Sequence, residues 1–354
     1  MSAADGVAVA LIVGVTLYAW TGVADFGAGF WDLVAGGRER GERPRALIDS
    51  AIGTVWEANH VWLVFCIIVC WTAFGAAFAS IMTTLFIPLT LAALGIVLRG
   101  SSFVFRKNAA RARQRHVAGW AFGLGSLVTP FFLGATVGAL LAGRVPEGDA
   151  AGDRLTSWWN PTSVLVGLLA VALGAFLAAV YLVVEADHRG ERDLHDYFRI
   201  RALAAGTVAV LVGIGAVVAL RVDERRMYDR VTGRGLALLI VASVALVVTL
   251  VLVARRATRG VRVGAALAVG SLVWTWGVSQ YPYLLPFDLT IDDGAGAAVT
   301  MRWILVWFLI ALVTAVPALI LLYVLEQRGE IAEDAGETGP VEGLGATAAE
   351  PGRQ

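Results

Sequence analysis

The sequence predicts an all-α polytopic membrane bundle of nine transmembrane helices, with the N-terminus outside and the C-terminus in the cytoplasm. Three observations lead there. Of the 354 residues, 58% are hydrophobic and only 16% are charged, a balance outside the habits of soluble globular domains. The apolar residues come in runs of about 20, the length a helix needs to cross roughly 30 Å of hydrocarbon. Clusters of arginine separate the runs and gather in alternate loops.

The first run covers 7–24, and Asp25 in VADFGAGF marks its end. The leading MSAAD lacks the basic segment of a cleavable signal, so this span is expected to stay in the mature protein. The second and third runs, 51–72 and 74–98, have no charge between them, only Trp71, Thr72 and Ala73 at the join. Together they are too long for one crossing, so they are either a tight hairpin or a misread pair. The fourth, 117–142, carries Gly119 and Gly123, then Gly134 and Gly138, at a four-residue spacing that lets another helix backbone come close. The same length rule gives 162–184, 202–220, 235–254, 263–281 and 299–325. Pro88, Pro130 and Pro317 fall inside spans without a paired pattern. Residues 329–354 are rich in Gly, Ala, Glu and Pro and poor in large apolar side chains, which predicts a disordered cytoplasmic tail after a membrane domain over 1–328.

Orientation follows from the basic residues, which favour the cytoplasmic side. With the N-terminus outside, 20 of the 28 Lys and Arg residues fall on the cytoplasmic side and 8 on the other. The loop that dissents carries five arginines over 221–234, interleaved with Asp223, Glu224 and Asp229.

Ionisable groups at membrane depth mark a function or a paired structural role. The foremost stretch is VWEANHVWL, residues 55–63, at the head of a long apolar run. Glu57 and His60 are three apart and share a helical face, with Trp56 one turn before His60 and Asn59 beside it. Asp25 and Arg99 stand at the cytoplasmic ends of the first and third spans, where Asp25 closes a helix and Arg99 snorkels to the headgroups, unless they pair with charges on neighbouring helices. Cys66 and Cys70, four apart on one face, read as small packing residues, because a metal site needs more ligands nearby and a disulfide within one helical turn is unusual. Glu-x-x-His occurs at Glu57 with His60 and at Glu185 with His188, half of a di-iron carboxylate signature, but the spans offer no further Glu at comparable depth. Only His60 of the four histidines lies clearly within a span, and bis-histidine haem ligation takes two. No metal is therefore expected in this chain.

WEANHVWL, then IPLTLAALGIVLRGSSFVFR, then WGVSQYPYLLP ahead of a last span ending near Tyr323, together resemble subunit II of cytochrome bd quinol oxidase; VADFGAGF looks like the family's Gly-Phe-Asp-Leu-Gly segment. The resemblance runs from the first span to about Tyr323 and leaves out the tail. It implies nine helices with the N-terminus outside, residence in a bacterial cell membrane, and a partner subunit I that holds two b-type haems and haem d and oxidises quinol. No haem is implied for this chain, which is not expected to be catalytic alone. The acid after the Trp of the motif, here Glu57, belongs in the family to a proton route from the cytoplasm; relatives often carry Asp there. The family's third-span Arg corresponds to Arg99 and its first-span acid to Asp25. His60, Asn59 and Trp56 are candidate supports of Glu57. Besides subunit I, the implied partners are membrane lipid and, as an open case, a small accessory subunit; nucleic acid is not among them. Two rival functions are a scaffold with no proton role and a proton-coupled secondary transporter, which should show broken helices in corresponding halves.

Overall fold

A computed structural model describes residues 2–37, 39–52, 56–108 and 112–328, with the backbone alone for Trp56 to Asn59 and a few other helical residues. It is an all-α polytopic membrane bundle with one two-stranded ribbon in a loop. Its internal packing divides it into two units, Met1–Leu305 and Val306–Gln354. The disordered tail expected over 329–354 lies outside the described residues.

Helix α1 (Ala3–Leu33) opens on a reciprocal cap: Ser2 Oγ accepts from the Asp5 N–H at 3.1 Å, and the Asp5 carboxylate accepts from the Ser2 N–H at 2.8 Å. The expected end of this span at Ala24 is corrected, because the helix runs on through GAGFWDL to Leu33. The glycines there serve helix contacts rather than breaks. A Cβ on Gly27 would sit 1.9 Å from the Gly174 carbonyl oxygen, so α1 meets its neighbour backbone to backbone.

Helix α2 (Glu42–Ile52) is short and buries Leu47 and Ile48. Helix α3 (Trp56–Ala73) then meets α4 (Gly75–Thr84) at a 119° bend on Phe74, which is fully buried. The third span is therefore not one straight helix: α4 is ten residues long, Leu85 interrupts it, and α5 (Phe86–Asn108) makes the return. The bend is stabilised from far along the chain, where the Gly296 N–H donates to the freed Ala73 carbonyl at 2.8 Å. Pro88 falls in the first turn of α5, where a missing N–H costs no intrahelical bond.

Helix α6 (Ala112–Leu141) is followed by a loop whose backbone N–H groups donate to hydroxyls of α4, from Gly148 to Ser80 and from Ala150 to Thr83. Within that loop the N–H groups of Thr156 and Leu155 hold the Asp153 carboxyl below the usual carboxylate range. Helix α7 (Pro161–His188) starts with Pro at its first position and an Asn160 cap, and its Gly174, Ala175, Ala178 and Ala179 lie buried at the centre of the bundle. Helices α8 (Arg192–Asp223), α9 (Arg225–Val231), α10 (Leu236–Ala254) and α11 (Val261–Gln280) follow. Strands β1 (Tyr283–Leu285) and β2 (Leu289–Thr290) pair antiparallel before α12 (Ala298–Arg328).

Indole N–H groups tie α1 to the bundle, Trp20 donating to the Ala266 carbonyl of α11 and Trp31 to the Ala175 carbonyl of α7, each at 2.7 Å. Polar contacts between loops and the helix ends beside them sort into two sets. One joins the α1–α2, α7–α8 and α10–α11 connections, through Arg43 with Glu191 and Asp193 and Arg256 with Asp196. The other joins the start of α1, α4, and the loops after α6, α8 and α11, through Ser2 with Asp292, Glu147 with Asp288 and Arg230 with Tyr281.

Candidate functional site

Arg99 of α5 and Asp25 of α1 are two of the most deeply buried charged residues among the described residues. Arg99 Nη2 lies 2.6 Å from Asp25 Oδ1, and the two side chains are 2% and 4% exposed. Arg99 Nε donates to Ser126 Oγ of α6 at 3.1 Å, and that hydroxyl donates in turn to the Phe122 carbonyl at 2.8 Å. The rings of Phe26 and Phe122 flank the guanidinium, 5.1 and 4.8 Å from its central carbon. One cation thus joins three helices.

Glycines make room for it. A Cβ on Gly125 would lie 2.5 Å from the Gly95 carbonyl oxygen and 3.1 Å from Arg99 Cβ, while one on Gly29 would lie 2.1 Å from Ser126 Oγ. At these positions α1, α5 and α6 approach closely enough for a single guanidinium to reach both partners.

The snorkelling expected of Arg99, and the helix end expected at Asp25, are corrected by this arrangement. Both residues lie inside helices, α5 continuing to Asn108 and α1 to Leu33. A carboxylate on the adjacent helix neutralises the guanidinium within hydrogen-bonding distance, so it has no need to stretch toward headgroups.

His60, near the start of α3, adjoins the pair. Its imidazole stacks on Phe26, with centroids 6.1 Å apart and planes at 28°, and meets the edge of Tyr18 at 6.3 Å. Glu57, Asn59 and Trp56 fall on the first turn of α3, and their side chains lie outside the described residues. Asp25 Oδ2 and Tyr18 Oη are buried without a hydrogen-bond partner among the described residues.

Other sequence candidates sit elsewhere. Glu185 accepts from Arg189 at 2.9 Å and faces Arg262 at 3.8 Å, while His188 is exposed. Cys66 packs where a Cβ on Gly14 would be 2.9 Å from its sulfur. Of the small residues of α6, Gly123 packs on Leu33, Gly134 on α7 at Val166, Gly167 and Ala170, and Gly138 on Ser163, but a Cβ on Gly119 meets nothing within 4 Å. Among the described residues no group of three or more His, Cys, Asp or Glu is placed to hold a metal ion. Sequence reasoning missed Ser126, Phe122, Phe26 and Tyr18. Only the i, i+7 spacing of Tyr18 and Asp25 was available to point to one of them.

Comparison with known proteins gives a consistent pattern. Residues 5–325 match the family model described as cytochrome bd terminal oxidase subunit II. The chain is 21% identical over 323 residues to the putative cytochrome bd menaquinol oxidase subunit II of Bacillus subtilis (strain 168), covering 88% of this chain and 92% of that one. It is 24% identical over 290 residues to a cytochrome bd ubiquinol oxidase subunit 2 of the same organism, covering 78% and 82%. To the cytochrome bd-I ubiquinol oxidase subunit 2 of Escherichia coli (strain K12) it is 28% identical over 210 residues, covering 57% and 52%. A chain in the structure of the bd oxidase from Geobacillus thermodenitrificans superposes with a TM-score of 0.75 at 25% identity, over 91% of this chain and 98% of that one.

Proposed function

The chain belongs to the family of cytochrome bd terminal oxidase subunit II, and on that premise we propose that it carries protons from the cytoplasm toward the haems of its partner by way of Glu57. It is a multi-pass membrane subunit of a quinol:oxygen oxidoreductase and pairs with subunit I, the haem-bearing chain. Reduction of oxygen to water at the partner's haems takes up protons, which hydrocarbon does not conduct. Polar side chains and water must supply the path.

The observation that carries this reading is the convergence of buried polar groups beside His60, one turn beyond Glu57. Tyr18, Asp25, Arg99 and Ser126 come from three helices to one place inside the bundle. Family membership also sets aside the transporter. The scaffold reading has its own support in the Asp25–Arg99 pair, which joins α1 to α5 whether or not a proton passes.

The route has a direction only if the chain crosses the membrane as proposed, nine times with the N-terminus outside. Among the described residues six helices are individually long and apolar enough to cross, or seven when the bent α3–α4 pair counts as one span. Shorter apolar stretches lie on α5 and α12, at Phe86–Ser102 and Ala298–Thr314, and in this reading they are the remaining two crossings. Two features support alternation: the segregation of loop contacts into two sets, and the 20 to 8 division of basic residues. In the dissenting segment Arg225 pairs with Asp229 and Arg226 with Glu224, but acidic neighbours count for little in this rule, so it stays an exception. In this reading residues 1–328 form the membrane domain, covered by lipid and subunit I, and 329–354 form a cytoplasmic tail.

Glu57→Gln tests the route, because Gln keeps the size and hydrogen bonding of Glu but carries no exchangeable acid proton. Oxygen consumption per assembled haem is expected to fall by about 10-fold or more at saturating quinol, with Glu57→Asp retaining substantial activity. Wild-type turnover in Glu57→Gln leaves the scaffold in its place.

A further inference from the structure

We propose that Tyr18 is a hydroxyl link in this proton route, joined to Asp25 through internal water and held in place by Gly22. The proposal rests on the reading of Glu57 as a route acid and extends it to a residue on another helix.

Tyr18 Oη and Asp25 Oδ2 are two polar atoms that the fold buries and leaves without a hydrogen-bond partner among the described residues. Tyr18 is 7% exposed and Asp25 5% in the chain by itself. Burial is thus achieved inside this subunit. Native proteins rarely leave such atoms unsatisfied, and in a polar site the usual partner is an ordered water with two to four hydrogen bonds.

The geometry favours one shared water site over two separate ones. Residues 18 and 25 lie two turns apart on one face of α1, about 10 Å along the axis. The Tyr18 ring lies down against α1 at Gly22, where a Cβ would stand 2.5 Å from a ring carbon. Any other residue at position 22 pushes the ring away. Lying over Gly22, the ring carries its hydroxyl across about half of the axial gap toward Asp25. The His60 imidazole spans the same interval, with its face on Phe26 and the Tyr18 edge beside it. Asp25 Oδ1 is committed to Arg99, which leaves Oδ2 to accept from water and fix its orientation.

Such a link moves a proton without ionising the phenol. Tyr18 Oη accepts a proton from a water on one side as its own proton passes to the water on the other, and the number of O–H bonds is unchanged. No oxidant or reductant is involved.

The test is Tyr18→Phe in the purified two-subunit complex, with Glu57→Gln measured beside it. Turnover per haem is expected to fall on the order of 3- to 10-fold in Tyr18→Phe, more steeply toward alkaline pH where protons are scarce, while haem spectra stay unchanged. Gly22→Ala, which keeps the hydroxyl but displaces the ring, is expected to behave in the same way. A high-resolution map of the wild-type complex is expected to hold water within hydrogen-bonding distance of both Tyr18 Oη and Asp25 Oδ2. If Glu57→Gln is slow and Tyr18→Phe keeps wild-type turnover and pH profile, the Tyr18 link fails while the Glu57 route stands. If both variants turn over like wild type, the route fails with it. A dry gap between the two atoms overturns the link whatever the kinetics, and covers the case in which Tyr18→Phe does not assemble.

Discussion

Arg99 shows what a single side chain can do in a medium that does not solvate it. With 2% of its side chain exposed, it draws on Asp25, Ser126 and two aromatic faces for its stabilisation among the described residues. Removing one member of a buried pair leaves the other charge uncompensated, at about 3 to 5 kcal/mol, whereas replacing both by apolar groups of similar size is often neutral. Arg99→Ala and Asp25→Asn are each expected to lower the yield of assembled complex sharply. Arg99→Met combined with Asp25→Leu is expected to recover much of it, measured as haem per membrane protein. Recovery of yield with turnover still low separates a role in proton supply from one in packing. From the sequence alone Asp25 and Arg99 were recognisable as expensive residues. Their pairing was not, because 74 positions separate them and nothing local states which helices are neighbours.

At the scale of the helix, spacing and composition foretold most of the elements, and the departures have local causes. Helix α1 runs past its expected end because glycines usually read as breakers are contact points with α7 and α6. The join between the second and third apolar runs became a corner, a ten-residue helix and a return, since Phe74 and Leu85 are buried apolar residues at non-helical positions. A hydropathy profile does not register a corner made of apolar residues. The glycine contacts give a sharp comparison. Gly27→Ala places a methyl where the Gly174 carbonyl already sits, so thermal unfolding of the complex is expected to shift clearly downward. Gly119→Ala meets open space and is expected to be neutral, or stabilising by up to about 1 kcal/mol from helix propensity.

For the molecule as a whole, the two sets of loop contacts carry a prediction about sidedness. In a background lacking Cys66 and Cys70, a cysteine at Asp153 is expected to react with a membrane-impermeant thiol reagent added to intact cells. A cysteine at Arg192 is expected to react only after the membrane is opened. The reverse pattern, or equal labelling, rules out the proposed orientation. That the chain is an all-α, multi-pass membrane bundle was legible because basic loops and apolar runs alternate along it. Of the candidate site, Asp25, Arg99 and His60 were legible as single residues, but not their meeting, because the walls come from α1, α3, α5 and α6.

The corner at Phe74 also sets an order of events during biogenesis. The carbonyl of Ala73, released where α3 stops, is satisfied by the N–H of Gly296, about 220 residues later in the chain. At a ribosomal rate of roughly 5 to 20 residues per second, that donor emerges some 10 to 45 s after its acceptor. Until then the acceptor must be served by water or by the insertion machinery. The hairpin that holds half of the candidate site therefore enters the membrane early and is locked late, by the segment that leads into the final helix.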